Sequence, residues 1–230
     1  MEKFELIYQR AAERKGGVAA LESMLPQVLS PQTLAKIPAR DYLAAMTKKI
    51  FQAGFVWRVV ENKWSGFETV FWGFEPFKLV LASDEQIAAM AQDERIIRNY
   101  TKVKTVRENA AFIQEIERQH GSFGQFIGEW PGEEITQLWL YLKKQGSRLG
   151  GNSGSYFLRD IGKDTFLLCS DLVGYLIAQG LIAKAPTSQR DLKLVQQTFN
   201  DWQQQSGRTL AEMSRIVAYS CGDNRVQLES

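Results

Sequence analysis

Cysteine and histidine are almost missing from this chain. Two cysteines, Cys169 and Cys221, and one histidine, His120, stand among 230 residues. A zinc site built from cysteine and histidine needs four ligands at close spacing, so three scattered ones exclude it and no metal is expected. A Ser-His-Asp arrangement would have to use His120, which lies in Arg118-Gln-His-Gly121 at a helix end. A histidine there serves more readily as a cap than as a base. No apolar run approaches the roughly 20 residues that a membrane-spanning helix requires. The opening Met1-Glu-Lys-Phe-Glu5 lacks an apolar signal core, so the expectation is a cytoplasmic protein with no membrane partner. The formal net charge of +2 is too small to announce a polyanion partner, and any such surface must come from local clustering. Strand alternation is scarce as well.

What the chain does have is helical periodicity. Hydrophobic residues make up 44% and charged residues 23%, a globular balance with enough length for a real core. Residues 2–15 read as a charged amphipathic helix before Gly16-Gly17. Leu43, Met46, Ile50 and Phe51 share one face of a helix that starts near Asp41 and is broken by Gly54. Phe55-Val-Trp-Arg-Val-Val60 is expected to continue as another helix to about Trp64. Ser83 and Gln86 form a capping box, and Val103, Val106, Ala110, Ile113 and Ile116 place a long amphipathic helix over 101–119. Ser170, Ser188 and Thr209 are expected to cap the later helices, and the polar tail after Gly222 to fray. The expected class is all-α.

The stretch from Lys143 to Arg159 concentrates the unusual features. It holds four basic residues (Lys143, Lys144, Arg148, Arg159), no acid, and four glycines at 146, 150, 151 and 154 between two helical segments. Gly146 suits a helix C-terminus needing positive φ, and Asn152 or Ser153 suits an N-cap. Uncovered amides at a helix start beside lysines and arginines make a phosphate site. The pattern fits a helix-hairpin-helix that grips a nucleic-acid backbone, and equally an ordinary corner between two helices.

Three further stretches each carry two readings. Arg95 to Arg107 has five basic residues and no acid, either a phosphate-neutralising run or a solvated helix face. Phe51-Gln-Ala-Gly-Phe-Val-Trp57 places aromatics around a glycine break, where rings could stack on an extruded base and wedge the duplex or simply fill a core. Asp171 is a carboxylate in a first helical turn, favoured there by the helix dipole or serving to stabilise positive charge on a sugar.

Taken in order, these pieces resemble the 3-methyladenine DNA glycosylase I family, within the helix-hairpin-helix DNA glycosylases. The likeness rests on Gln52-Ala-Gly-Phe-Val-Trp57 with Asn62-Lys-Trp64 and Phe67, on Ile96-Ile-Arg-Asn99 with Lys104 and Asn109, and on Leu142-Lys-Lys-Gln-Gly-Ser-Arg-Leu-Gly-Gly151. Phe166-Leu-Leu-Cys-Ser-Asp171 and Thr209 to Ala218 are similar to the wider superfamily that includes endonuclease III. There are two departures. Lys49 stands three residues before Gln52, where the family carries a glutamate that recognises the methylated purine. The family's Cys/His zinc site has no ligands here.

The resemblance implies a single domain over 1–230 of two lobes with interleaved boundaries, its helix-hairpin-helix at about 133–161. It implies a monofunctional DNA repair glycosylase of base excision repair, because no lysine stands in the hairpin's second helix where bifunctional members keep a nucleophile. Such an enzyme flips an alkylated purine and hydrolyses its N-glycosidic bond; a non-catalytic binder of damaged or abasic DNA is the alternative on the same scaffold. The implied roles are base binding for Trp57, Lys49 and Gln52, and a DNA wedge for Gly54 and Phe55. Gly146, Arg148, Gly150, Gly151, Asn152 and Ser153 would hold the DNA backbone, and Asp171 would act in catalysis. The implied partner is double-stranded DNA, bound by a monomer. No cofactor is required, and a monovalent cation at the hairpin carbonyls is left open.

Overall fold

The structure, a computed structural model, describes residues 2–222. The tail after Gly222 lies outside the described residues. The chain is all-α: among the described residues there are helices and turns and no strand. The described residues divide into two compact units, one with residue 28 and the residues before it, 131–136, and 164 onward, the other of 29–130 and 137–163.

The first unit begins with α1 (Phe4–Arg14) and α2 (Val18–Ser23). The second begins with α3 (Pro31–Ala35), capped by Ser30, and α4 (Ala39–Gln52), which starts directly after Pro38. Four short helices follow: α5 (Trp57–Asn62), α6 (Trp64–Val70), α7 (Pro76–Val80) and α8 (Asp84–Gln92). Then comes the long α9 (Tyr100–His120), capped by Asn99, and α10 (Phe123–Glu129), capped by Ser122. A 3₁₀ turn at Gly132–Glu134 leads into α11 (Ile135–Gln145), and the hairpin joins it to α12 (Asn152–Asp160). The chain ends in the first unit with α13 (Ser170–Ala178), α14 (Gln189–Ser206) and α15 (Leu210–Tyr219).

In the second unit α4 and α9 form the axis of the core. Tyr42, Leu43, Met46 and Phe51 of α4 are fully buried, as are Val103, Val106, Ala110 and Ile113 of α9. Burial raises the Tyr42 phenol, whose hydroxyl donates to the Leu34 carbonyl at 2.8 Å. Gly124 and Gly128 lie one turn apart on α10 and bring it against the α3 backbone; a Cβ at Gly128 would stand 2.8 Å from the Pro31 carbonyl oxygen. In the first unit Phe199 stacks on Phe166 at 4.2 Å and meets Trp202 edge-on at 5.3 Å. The Asp164 carboxylate accepts from the Leu210 and Ala211 amides at the start of α15, beside the Thr209–Glu212 capping box.

Four local expectations are corrected. The segment from Phe55 to Trp64 is not one helix: Val56 is extended, and the chain kinks at Lys63 (φ −101°, ψ 5°) between α5 and α6. Cys169, not Ser170, occupies the N-cap of α13, and it makes no side-chain cap bond. Gly151 at φ 59° is the N-cap of α12, so Asn152 and Ser153 lie inside the helix and no side chain covers its first amides. Gly146 does not take positive φ; that conformation falls to Arg148 (56°) and Gly151.

Gly124→Ala is expected to destabilise the protein by about 1–3 kcal/mol through overpacking of α10 on α3. Thermal denaturation monitored by circular dichroism checks this, with Gly180→Ala, whose added Cβ would meet nothing within 4 Å, separating overpacking from backbone strain at a positive-φ glycine.

Candidate functional site

Between α4 and α5 the chain runs through a loop, 53–56, whose shape one lysine holds. Gly54 takes φ 77°, a conformation that a side chain would strain. Lys102 of α9 is 5% exposed. Its ammonium donates to the Phe51 carbonyl at 3.2 Å and the Ala53 carbonyl at 2.6 Å, and lies 4.5 Å from the centre of the Phe55 ring. The bonded carbonyls are those left open at the α4 C-terminus, where a cation is favoured. Burial lowers the Lys102 pKa, and the charge of Arg148 adds to the effect. The loop is thus pinned from below while its tip stays outside: Phe55 is 41% exposed, Val56 69% and Trp57 50%. These residues are not core. Three adjacent apolar side chains held in water on a fixed loop are a contact surface.

Behind the loop lies a cavity of about 340 Å³, lined by Lys49 and Gln52 of α4, the loop from Ala53 to Phe55, Trp57, and Asn152, Ser153 and Tyr156 of α12. That volume is in the range of small-ligand sites. The Trp57 and Tyr156 rings meet edge-on at 6.1 Å. Lys49 is buried, and its ammonium donates to the Asp160 carboxylate at 2.6 Å and to Gln52 Oε1 at 2.9 Å while lying 4.8 Å from the Trp57 ring centre. Gln52 is 3% exposed. Because its Oε1 must be the atom facing the lysine, its Nε2 is the end left over, with no partner among the described residues. The three expected base-binding residues therefore share one cavity. Asn152 and Ser153, expected on the DNA backbone, also line it. Tyr156 and Asp160 were missed by the sequence reading; Tyr156 was legible only as the residue one turn after Asn152.

The hairpin is built around Leu149, which is 1% exposed. A Cβ at Gly146 would stand 2.5 Å from Leu149 Cδ1, and one at Gly154 would stand 2.6 Å from the Leu149 carbonyl oxygen. These two glycines make room for the plug, and Gly151 supplies the turn. Asn109 of α9, with 0% exposure, holds the hairpin by both ends of its amide: it accepts from the Ser147 amide at 2.8 Å and donates to the Ser147 carbonyl at 3.0 Å. Glu108 accepts from the Ser147 hydroxyl at 2.6 Å. Asn152 and Ser153, where the hairpin enters α12, line the same cavity as the loop from Ala53 to Phe55, so the end of the hairpin and the Phe55 loop lie side by side in this unit.

The two basic stretches fare differently. Along 95–107 every cation is engaged: Arg95 with Asp93, Arg98 with Glu94, Lys104 with Glu108, Arg107 with Asp84, and Lys102 with carbonyls. In the hairpin, Lys143, Lys144 and Arg148 are exposed, and none has an ion-pair partner among the described residues.

Asp171 belongs to the first unit. It sits in the first turn of α13, and a Cβ at Gly222 would stand 2.5 Å from its Oδ1. Its backbone carbonyl accepts from the Cys221 thiol at 3.4 Å, and burial, with the Asp171 charge second, raises that thiol's pKa. Among the described residues no group of three or more histidine, cysteine, aspartate or glutamate side chains is placed to hold a metal, and no helix is long and apolar enough to cross a membrane.

Comparison with known proteins gives these features a context. The model of the methyladenine glycosylase family matches residues 38–171, which takes in α4, the loop, α9 and the hairpin. An 8-oxoguanine DNA glycosylase of Methanocaldococcus jannaschii superposes with a TM-score of 0.57 at 14% identity, covering 94% of this chain and 93% of that one. The 3-methyladenine DNA glycosylase I of Staphylococcus aureus superposes at 0.51 with 19% identity, over 66% of this chain and 91% of that one. A tyrosine-to-phenylalanine variant of 3-methyladenine DNA glycosylase I, in complex with 3-methyladenine, gives 0.51 at 18% identity, over 67% and 91%. At such identities the superpositions establish the helical fold.

If the hairpin cations face phosphate, replacing Lys143 and Lys144 together by glutamine should weaken binding to an abasic-site duplex and reduce the slope of log K against log salt by about 2. Replacing Arg98 and Lys104 together should leave the slope unchanged. Fluorescence anisotropy titrations at several salt concentrations check both.

Proposed function

The chain belongs to the methyladenine glycosylase family, and from that footing we propose that it is a monofunctional DNA glycosylase, flipping a damaged purine from the duplex and hydrolysing its N-glycosidic bond. The observation that carries this reading is the grouping within one unit of an exposed, pinned aromatic loop, a cavity directly behind it, and a hairpin whose Lys143, Lys144 and Arg148 make no ion pair among the described residues. Each part answers a physical need. Extruding a base costs a few kcal/mol of stacking and pairing, and an apolar tip such as Phe55 replaces what the duplex loses. The extruded base needs a walled cavity and a ring to meet it, here Trp57. The strand must be held during extrusion, the task assigned to Arg148 and the bare start of α12 at Gly150–Ser153.

Once the base is in the cavity, the bond from sugar to base lengthens and positive charge grows on the sugar. A carboxylate and a water on that sugar complete the reaction, and we assign the carboxylate to Asp171. An alkylated purine of the 3-methyladenine kind carries its own positive charge and leaves easily; it is the first substrate to test. α12 contains no lysine, and the Lys49 amine is held by Asp160 and Gln52, so no covalent step is assigned. One observation favours the non-catalytic reading: Lys49 occupies a base-recognition position with a charge opposed to a cationic base.

The test is release of free base from duplexes carrying alkylated, deaminated or oxidised purines. Wild type should release at least one of them, and Asp171→Asn should do so about 100-fold more slowly or worse. Borohydride added during turnover should trap no protein–DNA adduct. Release of nothing across the panel, with binding to an abasic duplex retained, would establish the non-catalytic reading.

A further inference from the structure

The floor of the cavity has a polarity of its own, and it points to the class of base that fits. We infer that the site takes an uncharged 6-oxopurine, such as the deaminated adenine base hypoxanthine, with Lys49 and Gln52 as the residues that determine specificity; this rests on the glycosylase reading above. Two buried polar groups face the cavity from α4. The Lys49 ammonium has three hydrogens, and only Asp160 and Gln52 Oε1 accept from it. The Gln52 amide nitrogen has no partner among the described residues although Gln52 is 3% exposed. It is not one of the fully enclosed side-chain atoms that lack a partner, so solvent reaches it. What α4 offers an incoming base is donors alone. Of the neighbouring acceptors, Gln52 Oε1 and Asp160 Oδ2 already accept from the lysine.

Donors side by side read acceptors side by side. A 6-oxopurine presents O6 and N7 on one edge, the pair that lysine and arginine read in duplex DNA. Adenine and its alkylated forms present an amino group in place of O6, a donor facing donors. Charge argues the same way. One face of Trp57 already has the Lys49 ammonium 4.8 Å from its ring centre, so a cationic base would compete with that contact.

The chemistry agrees as well. An alkylated purine leaves as a neutral molecule and needs no help. An uncharged purine takes the electron pair of the C1′–N9 bond with it, and negative charge spreads to O6 and N7 as the bond breaks. Donors from Lys49 and Gln52 would stabilise that charge in the transition state. Water then forms the new C1′–O bond, and its proton ends on the departing base. Undamaged guanine shares the O6/N7 edge, and its intact pairing keeps it stacked, whereas hypoxanthine opposite thymine is mispaired and is extruded more easily.

Single-turnover excision from a hypoxanthine·thymine duplex is to be compared with excision of 3-methyladenine from alkylated duplex DNA. Wild type should favour hypoxanthine by at least about tenfold. Lys49→Met should lower hypoxanthine excision by about 100-fold, the loss typical of one transition-state donor, and shift the ratio of the two excision rates toward 3-methyladenine by at least about tenfold. Gln52→Leu should move the same ratio in the same direction. Circular dichroism and abasic-duplex affinity show whether each variant is folded. A wild-type preference for 3-methyladenine, or equal losses on both substrates in folded Lys49→Met, would overturn the inference while leaving a glycosylase. Where wild type excises neither base, the glycosylase reading fails and binding decides: free hypoxanthine should quench Trp57 fluorescence, lost in Trp57→Leu, at concentrations where free 3-methyladenine does not. The reverse order would overturn the inference.

Discussion

Two side chains of α9 set the geometry on which the rest of the candidate site depends. Lys102 fixes the loop between α4 and α5 by two carbonyls, and Asn109 fixes the hairpin by both sides of one peptide. They stand seven residues apart on one helix, two turns and roughly 10.5 Å along its axis, and so point from the same face. The spacing between an exposed aromatic tip and a cationic hairpin is therefore not left to loop packing. A rigid helix measures it. Both anchors are buried polar groups with well-formed hydrogen bonds, and removing either would leave backbone groups unsatisfied in the interior. Lys102 endures burial because the carbonyls at the end of α4 and the faces of Phe51 and Phe55 replace its water.

That division of labour explains why two stretches of similar composition do different things. Arg95 to Arg107 and Lys143 to Arg159 are both basic and free of acid in sequence. Acids that flank the first stretch in sequence, Asp93, Glu94 and Glu108, pair with it locally, and the fold adds only the more distant Asp84. Glu108, which also reaches the hairpin, accepts from the hydroxyl of Ser147 and is shared with Lys104, and it makes no ion pair with Lys143, Lys144 or Arg148. Local charge counts do not separate a structural cation from a ligand-facing one. Its partner does.

The all-α class, most helices and the residue types around the cavity were legible in the sequence because each rests on a local rule: 3.6-residue periodicity, a capping box at Ser83 and a cap at Thr209, and glycine breaks. The hairpin's existence was legible, but the jobs of its glycines were not. Gly146 looks like a residue needing positive φ and is instead small because Leu149 packs on it, while the strained conformations fall on Arg148 and Gly151. Packing against a side chain three residues away leaves no separate mark in sequence. The exposure of Phe55 and Trp57 was hidden for the same kind of reason: aromatic residues favour cores, and only the pinning of the loop by Lys102, from a distant helix, keeps them out. Asp160 was invisible as a site residue because its role exists only through Lys49, over a hundred positions away.

The Lys49–Asp160 pair also constrains what the cavity could become. Lys49 is 7% exposed and Asp160 41% on their side chains, so the lysine bears most of the desolvation and relies on the carboxylate and on Gln52 Oε1 for compensation. Placing a carboxylate at position 49 alone would bring two like charges to the cavity floor, and one of them would be driven to bind a proton. It would also reverse the Gln52 amide, since its oxygen would no longer face a donor. Charge at 49, charge at 160 and the orientation of Gln52 therefore change together or not at all. The polarity of the floor is a property of three residues on two helices, and that coupling makes Lys49 a built feature of the cavity.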